Sequence, residues 1–319
     1  MESPQVSFKQ VVSRGCGLDV HKKVVVATID GEGIKKQTRE FGTVTSSLKE
    51  LRDWLMEHGV THVVMESTSV FWKPVCNVLE PAELTVWIVN AAQVKYVPGH
   101  KTDKQDSAWL CKLLLAGLLK PSYIPAKEQR ELRDLTRYRT TLIQSNASNK
   151  NRIIRILEDA NIKLSSVLSS TSGVVGTKLI DKLCEGKEIT MQDVEDVYHK
   201  MLEASKEEIY EACQGFITEH HVCMLQIIRQ EIAATLQTIE KLNQRIKTVL
   251  SPYENALELL KKVPGISSKS VKDLVAEIGL DMSVFPAENH LSSWAGMAPG
   301  NSESAGKKKA DEQLRETSK

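Results

Sequence analysis

The chain has 319 residues, enough for two or three domains and a sizeable core. Apolar residues make up 41% and charged residues 26%, with 42 basic side chains against 41 acidic ones, which excludes both a disordered chain and a uniformly basic coat. No apolar run approaches the roughly 18 to 20 residues of a membrane span, since even 110–119 is interrupted by Lys112, and MESPQVSFKQ lacks a signal-peptide core, so a cytoplasmic protein with no membrane partner is expected.

Residues 16–20 and 24–29 read as strands, and a third covers 36–41 after the turn signal Asp30-Gly31-Glu32-Gly33. The period changes at 46–58, where Leu48, Leu51, Trp54 and Leu55 recur at helical spacing. A strand at 60–65, a helix at 70–79 and a strand at 84–89 follow. Three antiparallel strands followed by β-α-β-α predict a mixed sheet whose parallel strands are buried on both faces. Beyond the breaker Pro98-Gly99, Thr102 and Gln105 form a capping box that starts a helix; Asp103 and Asp106 then share one helical face.

From 127 to 160 the pattern is helical without proline or glycine, and a second long pattern runs from 206 to 250. Two long amphipathic helices predict an antiparallel hairpin, an arm suited to dimerisation or to embracing nucleic acid. Short helices and the Ser/Gly stretch 165–176 lie between them. After Pro252 come a helix, the turn Val263-Pro264-Gly265-Ile266, a helix at 269–278, a helix near 291–295 and a polar tail. The expected division is 1–125, 126–252 and 253–319. The six cysteines form no C-x-x-C pair and the eight histidines no metal-ligand spacing, so neither type marks a site.

Four acids stand out. Asp19 sits inside the first strand pattern, where a charged residue is disfavoured, and Glu66 ends an apolar strand. The helix carrying Asp103 and Asp106 starts just after the last strand, and ligands of open sheets bind beyond the carboxyl ends of strands. Like charges about 4 Å apart repel by about 4 kcal/mol at an effective dielectric near 20, so four clustered carboxylates call for a cation. Oxygen ligands select Mg2+ or Mn2+, and a pair of such ions supports cleavage or transfer of a phosphodiester. Taken singly, each acid also has a plain reading as a strand-edge residue or a helix-dipole complement.

Residues 127–155 hold eight basic side chains, Lys127, Arg130, Arg133, Arg137, Arg139, Lys150, Arg152 and Arg155, against Glu128, Glu131 and Asp134. Such a strip suits a helix laid along phosphates, and a solvated ion-paired face is the alternative. Lys101 and Lys104 add charge beside the acids. The turn at 263–266 resembles a helix-hairpin-helix, in which Gly265 and Lys269 would approach a phosphate without reading sequence.

GLDVHKK, VVMEST and KTDKQDSAWL resemble the Asp, Glu and Asp-x-x-Asp motifs of the DEDD transposases of insertion-sequence family one-hundred-ten, relatives of the Piv DNA invertase. The resemblance covers essentially the whole chain. It implies an α/β RNase H-like (RuvC-like) mixed-sheet domain, followed by the helical hairpin and a small all-α C-terminal domain with a helix-hairpin-helix. It also implies Asp19, Glu66, Asp103 and Asp106 as the catalytic metal-binding tetrad. SSWAGMAPGNSESAGKKKA is similar to the family's C-terminal signature, which aligns Ser304 with the nucleophile; a serine in a small-residue loop is accessible, and the neighbouring Lys307, Lys308 and Lys309 are suited to stabilise charge on a transferring phosphate. By the same resemblance the protein would form a homo-oligomer, a dimer or tetramer, acting on element and target DNA with a structured guide RNA. Family chains continue past this signature whereas this sequence stops at Lys319, which implies a shortened copy. Two other readings fit parts of the sequence: a metal-dependent junction-resolvase-like nuclease using the tetrad alone, and a non-catalytic nucleic-acid-binding remnant. An actin-like or sugar-kinase-like ATPase also carries an Asp in its first strand, but that fold needs a Gly-rich phosphate loop where this hairpin has Val20-His21-Lys22-Lys23.

Overall fold

The computed structural model describes residues 11–67, 70–90, 103–297, 303–304 and 307–308, with the side chains of 103–105, 303, 304, 307 and 308 outside that description. The chain divides into two compact units, Met1–Ile124 and Pro125–Lys319. The arm and the C-terminal helices, expected as separate domains, thus fall within one unit.

In the first unit, β1 (Arg14–Val20), β2 (Val24–Gly31) and β3 (Ile34–Gly42) form an antiparallel meander, joined by α1 (Thr45–Glu57), β4 (His62–Glu66), α2 (Trp72–Leu79), β5 (Thr85–Val89) and α3 (Asp103–Leu115). The strand order is β3-β2-β1-β4-β5, with β4 parallel to both β1 and β5. This mixed five-stranded sheet flanked by helices is consistent with an α/β RNase H-like domain. Alternation sorts the strand residues onto two faces. Cys16, Leu18, Ala27, Ile29, Val63 and Met65 pack against Leu48, Leu51 and Leu55 of α1 and Val75 and Leu79 of α2. Val64 and Val89 face Leu110, Leu113 and Leu114 of α3 on the other side. Each fully buried leucine among these contributes about 1.5 to 3 kcal/mol over an exposed one.

The way α3 lies on the sheet depends on two glycines. A Cβ on Gly17 would meet the Ser107 carbonyl oxygen at 2.1 Å and the Cys111 nitrogen at 2.5 Å, while one on Gly15 would meet Leu114 at 3.0 Å. The helix backbone therefore rests directly on β1 and runs antiparallel to it. Buried Ser107 Oγ lies 2.8 Å from Thr28 Oγ1, whose other neighbour, Thr38 Oγ1, is at 2.9 Å. This hydroxyl chain fixes the first turns of α3 across β2.

The second unit is helical: α4 (Lys127–Asp159), α5 (Leu164–Val167), α6 (Val174–Cys184), α7 (Met191–Val197), α8 (Lys206–Ala212), α9 (Glu219–Leu250), α10 (Glu254–Lys261), α11 (Ser268–Ile278) and α12 (Glu288–Trp294). Ile153 and Leu157 at the end of α4 pack with Leu225 and Ile228 near the start of α9. At the opposite ends Leu132 packs with Ile246, Leu250, Val271 and Val275. The two long helices therefore run in opposite senses along one another. No described helix is long and apolar enough to cross a membrane.

The second long pattern, read as one helix over 206–250, is two helices. Gly215 interrupts it because Phe216 donates its backbone N–H to the Ala160 carbonyl at 2.7 Å, and a Cβ on Gly215 would lie 2.4 Å from that same oxygen. Ser205 and Thr218 cap the two resulting helices through capping boxes. The Ser/Gly stretch 165–176 contains most of α5 and the start of α6. The polar tail contains an antiparallel pair in which Ser304 stands opposite Lys307 and Glu303 opposite Lys308. The capping box expected at Thr102 lies outside the described residues.

Candidate active site

β1 and β4 are neighbours in parallel register, with Gly17 opposite Val64 and Leu18 opposite Met65. One residue further on come Asp19 and Glu66, level with each other at the carboxyl ends of the two strands. Strand alternation puts Asp19 on the face of Gly17 and Glu66 on the face of Val64, which is the face covered by α3. Asp103 opens α3 one turn before Ser107, the residue that touches Gly17. A helical turn rises about 5.4 Å and two strand residues about 6.7 Å, so the start of α3 reaches the level of Asp19. Asp106 lies immediately before Ser107 and is partly buried. The fold thus brings the backbones of all four acids to one end of one sheet face.

Asp19 is 20% exposed and its Oδ2 lies 2.9 Å from His21 Nε2. That partner was not singled out as functional from the sequence. The signal was the two-residue spacing across the end of β1, where the His21 N–H donates to Val24 O and turns the chain into β2. His21, Lys22 and Lys23 are exposed on this turn, and the two lysines bring positive charge to the acidic end of the sheet. Among the described residues no three histidine, cysteine, aspartate or glutamate side chains come together to hold a metal ion. The side chain of Asp103 lies outside those residues, as do the side chain of Lys104 and all of Lys101. By donor chemistry an all-carboxylate set at strand ends suits a hard divalent ion rather than zinc.

The basic strip on α4 is put to two uses. Arg139 is buried, donating from Nη2 to Asp273 Oδ1 at 2.7 Å and from Nη1 to Asn243 Oδ1 at 3.2 Å. Arg133 donates to the Ala276 and Glu277 carbonyls and lies over the Trp294 ring at 5.3 Å. Arg137 grips Glu277 with two bonds of 2.7 Å. Glu277 is consequently lowered below the usual carboxylate range: its partial burial opposes ionisation, but the Arg137 hydrogen bonds and the nearby Arg133 charge outweigh it. Arg139 was grouped with the phosphate contacts on sequence grounds; burial and its ion pair make it instead a clamp between α4 and α11. Leu132, Arg139, Asn146 and Ile153 recur at intervals of seven along the buried stripe of α4, a period that could have revealed the clamp. Arg130 donates to the Pro125 carbonyl at 3.0 Å. Lys127, Lys150, Arg152 and Arg155 are exposed.

Gly265 takes φ +83°, which the turn into α11 requires, and a Cβ there would meet nothing within 4 Å. Lys269 is exposed on the first turn of α11. The backbone of Ser304 lies in the short strand pair facing Lys307; the side chains of Ser304, Lys307 and Lys308 are outside the described residues.

Two family models match the chain. One, described as a transposase and built on the DEDD domain of IS110 elements, matches residues 16–162. The other, Transposase IS116/IS110/IS902 family, matches residues 257–318. No curated protein matches the chain. A DEDD transposase domain in general uses a divalent metal, and a transposase binds DNA. The chain belongs to the IS110 family of transposases, enzymes that recombine DNA.

Proposed function

We propose that the protein moves an insertion sequence by cleaving and rejoining DNA strands, with Asp19, Glu66, Asp103 and Asp106 as its divalent-metal ligands and Ser304 as nucleophile. The observation that carries this reading is the level placement of Asp19 and Glu66 on adjacent parallel strands, on the face against which α3 packs. The first unit acts as a RuvC-like catalytic domain, the paired long helices as an arm, and the segment around Gly265 as a helix-hairpin-helix. When bound, Mg2+ or Mn2+ would neutralise the carboxylates and the charge on the scissile phosphate.

The chain's own residues do the rest. Ser304 Oγ forms a new phosphoester bond as the bond from phosphorus to a sugar oxygen breaks, and that departing oxygen takes up a proton. The reverse step, with a sugar hydroxyl from another strand, releases Ser304 and seals the joint. Lys307 and Lys308 stabilise charge on the transferring phosphate. His21 orients Asp19, and Lys22 and Lys23 draw the strand towards the acids. Lys101, Lys104, Arg130, Lys150, Arg152, Arg155, Gly265 and Lys269 hold phosphates, while Arg133 and Arg137 act through the C-terminal helices they grip. A homo-oligomer would bring the serine of one subunit to the acids of another, and an element-encoded RNA would choose the DNA by base pairing.

The test is incubation with element DNA and its flanking transcript in Mg2+, followed by a denaturing gel. A DNA species covalently bound to protein, absent in Ser304→Ala and in Asp19→Asn, supports the reading. Strand cleavage that persists in Ser304→Ala favours a resolvase-like nuclease.

A further inference from the structure

Where the end of α4 meets the start of α9, a cleft of about 340 Å³ opens on the helical unit, lined by Arg155, Ile156 and Asp159 of α4 and by His220, His221 and Met224 of α9. Its volume is that of a small-molecule site, for which about 300 to 1,000 Å³ is usual. Ile156 and Met224 are half-buried against the apolar cluster of Ile153, Leu157, Leu225 and Ile228, and they give the cleft an apolar floor. Beside them His221 is buried and held in one orientation. The Thr218 backbone N–H donates to its Nδ1 at 3.1 Å, so Nε2 carries the ring hydrogen and donates to Asp159 Oδ2 at 3.0 Å. That bond fixes the Asp159 carboxylate, which is 78% exposed and takes no other partner among the described residues. Arg155 and His220 are exposed, one on each helix, and neither makes a hydrogen bond or ion pair among the described residues. Two flat π groups, an apolar floor and one held acceptor therefore share a single hollow.

We infer that this cleft takes one unpaired nucleobase whose edge carries an amino group, as cytosine, adenine and guanine do and thymine and uracil do not. The inference rests on the proposed nucleic-acid role of α4, whose exposed cations Lys150, Arg152 and Arg155 lead along the helix to this point. An unstacked base has two π faces, which a guanidinium and an imidazole can cover whatever its identity. Its amino hydrogen meets the Asp159 carboxylate, as acidic side chains accept from cytosine N4. The carbonyl of thymine or uracil would set one acceptor against another. A phosphate is repelled by the same carboxylate. A base paired in a duplex keeps its faces stacked, so a single-stranded stretch, of DNA or of RNA, is what fills the site.

The experiment measures binding of the full chain to short unstructured strands of deoxycytidine, thymidine, cytidine and uridine, and to a duplex of unrelated sequence. In at least one sugar series the cytosine strand is expected to bind about threefold to tenfold more tightly than its thymine or uracil counterpart, and the series that responds names the source of the base. Asp159→Asn, which still accepts from His221 but also offers the base a donor, is expected to abolish that preference. His220→Ala removes one stacking face and is expected to weaken the cytosine strand about tenfold, with duplex affinity and far-UV circular dichroism unchanged. A wild type that binds cytosine strands no better than thymine or uracil strands would overturn the inference. So would a cytosine preference that survives in Asp159→Asn, or wild-type affinity for the cytosine strand in His220→Ala. A chain that binds neither duplex nor single strand would sink the proposed function itself, whereas duplex binding with single-strand binding unaltered in both variants sinks only this site.

Discussion

Arg139 on α4 closes onto Asp273 of α11 at 2.7 Å with its own side chain only 5% exposed. A guanidinium so placed is part of the core of the helical unit. Arg139→Ala leaves the Asp273 carboxylate unpaired and is expected to cost about 2 to 4 kcal/mol, read as a lower denaturant midpoint. The salt slope of DNA binding is expected to stay unchanged. The exposed pair behaves oppositely: Arg152→Ala and Arg155→Ala should each flatten the slope by about one without loss of stability.

Gly17→Ala forces a methyl group into the backbone of α3 at Ser107 and Cys111. Neither strand nor helix backbone can yield without moving Asp19 relative to α3. The expected cost is about 3 kcal/mol or more, with DNA cleavage lost before the unit unfolds. Thermal denaturation and a cleavage assay below the transition separate the two effects.

Asp193 caps α7. The Thr190 hydroxyl and backbone N–H, with the Lys182 ammonium, hold its carboxyl down at about 2. Its folded pKa is depressed, so the contribution is present above the unfolded value near 4 and is lost as pH falls through about 2. Asp193→Asn should be less stable than wild type at pH 5, and the two should converge towards pH 2. Urea midpoints across that range check the sign.

The thiols give a second chemical check. Burial pushes Cys111 up to about 12, aided by the nearby Asp30 charge, and burial likewise raises Cys16. Both should resist a thiol reagent at pH 8 in the folded protein, whereas exposed Cys223 should react quickly. Rapid labelling of Cys111 would mean that α3 does not stay on the sheet.

Much of this architecture was legible because periodicity reports burial. The alternation in Cys16, Leu18, Val63 and Met65 marks one buried face, and Leu48, Leu51 and Leu55 mark the helix beneath it. The four acids could be read as members of one family pattern in chain order. Long-range contacts were not legible. Nothing local says that Phe216 will dock on Ala160 and split a helix, or that Asp273 will claim Arg139 from more than a hundred residues away. The His21 contact was hidden because a histidine beside a strand-end aspartate is ordinary until both are placed at the mouth of a parallel strand pair.

In the proposed mechanism Asp19 and Glu66, level on neighbouring strands, share a divalent ion with the acids of α3. The direct measurement is calorimetric titration of Mn2+ into the wild-type protein and into Asp19→Asn, Glu66→Gln and Asp106→Asn. Saturable binding is expected in the wild type, weakened at least about tenfold in each variant, with melting curves in the metal-free state unchanged. Equal Mn2+ affinity in the wild type and all three variants would contradict it.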